Sequence, residues 1–191
     1  MRVCVFCGSR PGNDPEMATL TRELAHALVA RGHGVVFGGG SVGLMGVLAD
    51  EVLAAGGEVI GVMPKHMVDR EVAHAGTQLH IVDTMHTRKA LMYDLSDAVI
   101  ALPGGYGTLD ELFEVLTWNQ LGLHAKPAGL LDHDGYFAPL VAFLDGAVGA
   151  GFIRPDHRAL LMHGSDADAL LDALESWKPT TASKWITAED R

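Results

Sequence analysis

Short apolar runs rich in branched residues alternate with longer stretches of helical period along most of the 191-residue chain. The apolar runs are Val3 to Phe6, Val35 to Phe37, Val59 to Met63, Ala98 to Leu102 and Ala128 to Leu131. They show no apolar–polar alternation, which is the pattern of strands buried on both faces of a parallel sheet. Between the first two, Leu20, Leu24 and Leu28 recur on one helical face that opens after Asp14-Pro15 and stops at Gly32. Further helices are predicted over about 43–55, 85–95, 108–121, 135–149 and 166–177. Residues 65–80 carry no clear period and predict a loop that could act as a lid, and 180–191 predict a loose tail. Strand and helix in alternation imply right-handed βαβ units. The expected fold is a single-domain α/β, Rossmann-like doubly wound parallel sheet with helices on both faces, over residues 1–179. In such a sheet, ligands bind beyond the carboxyl ends of the strands.

Composition narrows the classes. The chain is 48% hydrophobic and 20% charged, enough to bury a core and too little charge for disorder. A net charge of −10 argues against a nucleic-acid partner. No apolar run approaches the roughly 20 residues of a membrane span, so no membrane partner is expected. The N-terminus lacks the apolar stretch of a secretory signal, and the cytoplasm is the expected location. Cys4 and Cys7 form a C-x-x-C. A redox pair would open a helix, whereas these lie in a strand-like run with side chains directed to opposite faces. Both are expected to be buried, reduced thiols.

Glycine marks three turns at predicted strand ends: Gly8-Ser9, Gly38 to Gly46, and Gly104 to Thr108. The second formally matches G-x-G-x-x-G through Gly38, Gly40 and Gly43. It follows the second strand, and Glu58, at the spacing of a ribose-binding acid, opens its strand instead of closing it. A nicotinamide site is therefore disfavoured. Gly39, Gly40 and Gly43 could still bring backbone close to a phosphate or ribose, or serve only tight packing. The third turn, Pro103-Gly104-Gly105-Tyr106-Gly107-Thr108-x-x-Glu111, is more specific. Backbone N–H groups from Gly105 to Thr108 could form an anion-binding concavity, with the Thr108 hydroxyl as a further donor. No Gly-Lys-Ser/Thr follows, so it is not a triphosphate loop. Arg88 and Lys89 open the preceding helix, where the dipole disfavours cations, which hints at a role in a site.

Met85-His86-x-Arg88-Lys89-Ala90 and Pro103-Gly104-Gly105-Tyr106-Gly107-Thr108-x-x-Glu111 resemble the paired motifs of the LONELY GUY family. Its members are cytokinin riboside 5′-monophosphate phosphoribohydrolases, long mislabelled as lysine decarboxylases. The resemblance extends to Cys7-Gly8-Ser9, Gly38–Gly40, Gly43–Gly46, Gly61–Pro64, Glu71 and Thr117-Trp118-x-x-Leu121-Gly122, over roughly residues 3–150. It implies a Rossmann-like fold and a homodimer or larger assembly. It implies Arg88 and Glu111 as the catalytic pair. Gly105 to Thr108, Arg88 and Lys89 would hold the nucleotide, and Glu71 and Thr117 would line the site. Asp110 stands where Glu is usual, and Arg10 where a small residue is common.

N-glycosidic hydrolysis places positive charge on the ribose in the transition state, which a carboxylate stabilises. Glu111, near a helix N-terminus, is expected to stay ionised. Arg88 cannot shuttle a proton and is expected to grip the 5′-phosphate and position Glu111. The expected partner is a nucleoside monophosphate, with no cofactor and no metal. Only five lysines are present, and Lys89 alone lies near a glycine turn in this reading, which speaks against pyridoxal chemistry. A non-catalytic nucleotide or cofactor carrier of the same fold is the alternative, and it would not need the Arg88–Glu111 pair. Apolar residues on more than one face of the 108–121 helix predict self-association.

Overall fold

The computed structural model describes residues 1–68 and 72–179. The expected tail over 180–191 lies outside the described residues. Seven parallel strands form one sheet in the order β4-β3-β2-β1-β5-β6-β7. The central strands are β1 (Arg2–Phe6), β2 (Gly34–Phe37), β3 (Val59–Pro64), β5 (Ala98–Ala101) and β6 (Ala128–Leu131). These are the five runs legible in the sequence, and nearly every residue in them is buried. The edges are β4 (Gln78–Val82) and β7 (Leu161–Gly164). Neither is legible in the sequence, because an edge strand half in water tolerates Gln78, His80 and His163 and shows no apolar run. The expected 65–80 loop is thus corrected: a single 3₁₀ turn at Lys65–Met67 opens it, and β4 closes it, paired to β3 through Ile60↔Gln78 to Pro64↔Val82.

Helices α1 (Glu16–Ala30), α2 (Gly43–Ala54), α3 (Met85–Asp94), α4 (Tyr106–Gln120), α5 (Ala138–Gly149), α6 (Pro155–Arg158) and α7 (Ala167–Ser176) cover the two faces. One apolar layer joins α1, α2 and α7 to Val3, Val5, Val35 and Ile100. The other joins α3, α4 and α5 to Cys4, Phe6, Val36 and Val99. Cys4 and Cys7 fall in opposite layers and are free and buried, as expected of thiols three apart on a strand. Helix α5 starts at Ala138, three residues later than its apolar pattern suggests, because Asp134 and Gly135 have positive φ and turn the chain before it.

Strand order reverses between β1 and β5, each of which leads into a glycine turn at its carboxyl end. Gly8 N donates to Pro103 O at 3.1 Å, tying the two turns together. Glu58 sits at the other end of the sheet, where Arg2 Nε donates to its carboxylate at 2.8 Å. It is therefore remote from the carboxyl-end turns a dinucleotide would occupy.

Candidate active site

Thr84 accepts from Thr87 N at 3.0 Å and fixes the start of α3, which puts Arg88 in its first turns facing inward. Its side chain runs beneath the carboxyl ends of β2 and β3 and is only 7% exposed. Arg88 Nε donates to Val62 O at 3.0 Å and Nη2 to Gly38 O at 3.1 Å. Nη1 lies 3.8 Å from Glu111 Oε1. A Cβ at Gly38 would stand 2.2 Å from Arg88 Nη2, so that glycine serves the arginine and not a phosphate.

Glu111 lies in the second turn of α4. The N-cap residue of that helix is Gly105, which has no side chain to cap the first N–H groups. Its N-terminus faces a cavity of about 170 Å³ lined by Cys7, Ser9, Met45, Arg88, Gly105, Tyr106, Gly107, Thr108 and Glu111. Uncapped amides at a helix start favour an anion. A Cβ on Gly105 or Gly107 would meet nothing within 4 Å, so their missing side chains keep this space open. Gly104 differs: its Cβ would meet Thr108 Oγ1 at 2.1 Å. Burial, and next the charge of Glu111, push the Cys7 thiol well up, so it stays protonated at neutral pH.

A second cleft of about 610 Å³ adjoins the first and shares Ser9 and Gly105 with it. Gly8, Arg10 to Asp14, Met17, Leu44, Pro103, Gly104 and Tyr136 complete its walls. The structure thus brings together Gly8, Ser9, Gly104 to Thr108, Arg88 and Glu111. Gly39, Gly40 and Gly43 line neither cavity. Gly39 O accepts from His74 N, Gly40 bridges to Ala73, and a Cβ on Gly43 would collide with Ser9 and Arg10 backbone. Lys89 points away from Arg88, with Nζ 3.1 Å from Asp110 and 2.9 Å from Glu114. Thr117 lies in a separate groove with Phe113, Leu116, Leu144 and Ile153. Glu71 lies outside the described residues. Sequence reasoning missed Met45, Leu44, Met17 and Tyr136, which read as core or helix positions. Leu44 and Met45 lay within the Gly43–Gly46 block of the resemblance but were not singled out, and Tyr136 stood beside the Asp134-Gly135 turn signal.

Residues 45–174 match the family described as "Possible lysine decarboxylase". The chain belongs to this family. Similar proteins carry a different name. A cytokinin riboside 5′-monophosphate phosphoribohydrolase of Arabidopsis thaliana is 47% identical over 180 residues, covering 93% of this chain and 78% of its own. A second from that plant is 48% identical, covering 93% and 84%. A probable one from Oryza sativa subsp. japonica is 50% identical, covering 93% and 79%. The fold recurs in the molybdenum cofactor carrier protein of Chlamydomonas reinhardtii, with a TM-score of 0.69 and 19% identity over 92% of this chain and 98% of that one. It recurs in the molybdenum cofactor binding protein of Rippkaea orientalis, with a TM-score of 0.66 and 22% identity over 92% and 95%. The pyridoxal chemistry of a lysine decarboxylase would need a Schiff-base lysine, and Lys89 does not suit that role. Burial opposes its charge, but Glu114 and Asp110 outweigh that and raise its pKa, opposite to what a Schiff-base lysine needs. Among the described residues, no three His, Cys, Asp or Glu side chains are grouped to hold a metal ion.

Proposed function

We propose that the chain hydrolyses the N-glycosidic bond of adenosine 5′-monophosphates, including N6-substituted ones, to free base and ribose 5-phosphate. The names of relatives 46–50% identical over about 93% of the chain support this reading. The observation that carries it is the carboxylate of Glu111 beside buried Arg88, in a cavity that also receives the uncapped start of α4. The α4 amides and the Thr108 hydroxyl hold the 5′-phosphate. Glu111 faces the ribose, where its charge stabilises the oxocarbenium-like transition state and orients or activates the attacking water. Arg88, tied to two carbonyls, holds Glu111 in place more than it reaches for phosphate. A carrier of the same fold needs the anion loop but has no use for that pair.

The test is incubation with AMP and with N6-isopentenyl-AMP, followed by chromatography. Release of free base and ribose 5-phosphate in equal amounts is expected. Tight binding of either nucleotide without release would favour the carrier.

The chain acts as a homo-oligomer in the cytoplasm. Helix α5 supports self-association: of its twelve residues, nearly all apolar or small, only Leu144 is buried. Phe143 beside it is 69% exposed, and Phe152 just past its end is 88% exposed. An uncovered apolar helix of this kind marks an interface.

A further inference from the structure

Two adjacent glycines flank the peptide that opens the anion loop. Gly104 is required because a Cβ would strike Thr108, and Gly105 because its side is open cavity. That pair leaves the plane of the Gly104–Gly105 peptide almost unrestrained by its own sterics. One contact from outside the loop restrains it: Tyr136 Oη donates to Gly104 O at 2.6 Å.

We infer that Tyr136 is a positioning residue that sets the orientation of the Gly105 amide for the substrate phosphate. A trans peptide is planar, with C=O and N–H on opposite sides. Holding Gly104 O toward Tyr136 therefore sends the Gly105 N–H away from it. Gly105 is the N-cap of α4, and it borders both cavities. Its N–H and those of the first turn form one concavity, and turning this peptide would replace a donor at its rim with a carbonyl oxygen that repels phosphate.

The loop that carries Tyr136 is itself fixed. Asp132, buried at the end of β6, accepts from Phe137 N at 3.1 Å through Oδ1. Its Oδ2 lies 2.8 Å from His163 Nε2 on β7. Tyr136 packs edge-on against Phe137, with ring centroids 5.0 Å apart. Edge strand β7 thus bears on the anion loop through Asp132 and Tyr136, although none of its residues lines either cavity.

This inference rests on the phosphate-binding part of the proposed function. The variant is Tyr136→Phe, which keeps the ring and its packing and so keeps the fold. AMP affinity is measured by calorimetry, and steady-state kinetics are run with AMP and with adenosine. We expect the Kd and KM for AMP to rise about five- to tenfold, the worth of one neutral hydrogen bond. We expect kcat to stay within about threefold, and any loss with adenosine to be much smaller than the loss with AMP. Unaltered AMP affinity, or parallel losses with both substrates, would overturn the inference. Wild-type protein that binds AMP without cleaving it would sink the hydrolysis reading alone, and the Kd comparison would still decide Tyr136.

Discussion

Arg88 Nη1 and Glu111 Oε1 stand 3.8 Å apart on two helices whose first turns meet at the carboxyl edge of the sheet. The separation is longer than a hydrogen bond between these atoms, so the pair is held by charge at close range. Both side chains are largely shielded from water, where such attraction is strong. The arginine cannot swing, because Gly38 O and Val62 O hold its other nitrogens. A fixed cation thereby orients a carboxylate beside an anion-binding helix start.

Arg88→Ala should therefore cost stability as well as turnover. It strips two buried carbonyls of a donor and removes a close cation from beside a shielded carboxylate. A loss of about 2–4 kcal/mol is expected, or roughly 5–10 °C in Tm for a chain of this size. A Tm within 1–2 °C of wild type, measured by calorimetry, would show that the arginine is not part of the scaffold.

Gly104 and Gly105 are neighbours with opposite constraints. Gly104→Ala drives a Cβ into Thr108 and should fold poorly or distort the start of α4. Gly105→Ala meets nothing within 4 Å, so its melting temperature should match wild type while its methyl group enters the ligand space. Weakened AMP binding on the order of tenfold or more, with unchanged Tm, is the expected signature of Gly105→Ala. Equal thermal destabilisation of both variants would return Gly105 to a packing role.

The five central strands were legible because burial on both faces demands unbroken apolar runs, as in Ala98 to Leu102. The Arg88 and Glu111 motifs were legible because charged residues at helix starts beside glycine turns break local rules. Function of individual glycines was not legible. Gly38 and Gly107 look alike in sequence, yet one makes room for an arginine and the other for a ligand. Tyr136 was hidden because its apolar neighbours Phe137 and Leu140 extend the helical pattern across the turn. Lys89 and Thr117 follow their motif neighbours in sequence but diverge from them in space, since adjacent helix positions point about 100° apart.

His124 should make stability pH-dependent. It stacks on Tyr93 with centroids 4.1 Å apart and lies 3.0 Å from Val115 O. Burial lowers its pKa from the usual 6.5 to about 4. The unfolded chain takes up a proton near 6.5, while the folded chain refuses it until about 4. Its contribution is thus complete above pH 6.5 and is lost as pH falls toward 4. His124→Phe keeps the stack and removes the titration, so its Tm should fall less than that of wild type between pH 7 and 5. Identical slopes would exclude His124 as the cause.

Self-association should depend on α5. Light scattering of the wild type is expected to give at least twice the monomer mass. Phe143→Glu places a charge on the exposed apolar face, and it should yield a folded monomer. A wild-type monomer at micromolar concentration with full activity would remove the interface from the proposal.

Glu111→Gln is the decisive substitution for the chemistry. It keeps size and one acceptor oxygen, puts an NH2 donor in place of the other, and removes one negative charge. The ribose becomes cationic only as the bond to the base breaks, so that charge acts on the transition state and little on bound substrate. A fall in kcat on the order of a hundredfold or more is expected, with KM changed little. Stability should respond differently from activity. The amide leaves shielded Arg88 facing no counter-charge, so some loss of Tm is expected, while Gly38 O and Val62 O still hold the guanidinium. Assay of Glu111→Gln well below its own Tm therefore separates a lost charge from a lost fold. EDTA should leave the wild-type rate intact, because charge stabilisation by Glu111 asks nothing of a metal. Near-normal release of adenine by Glu111→Gln would remove this carboxylate from the reaction and leave the Arg88 pair as scaffold for a nucleotide carrier.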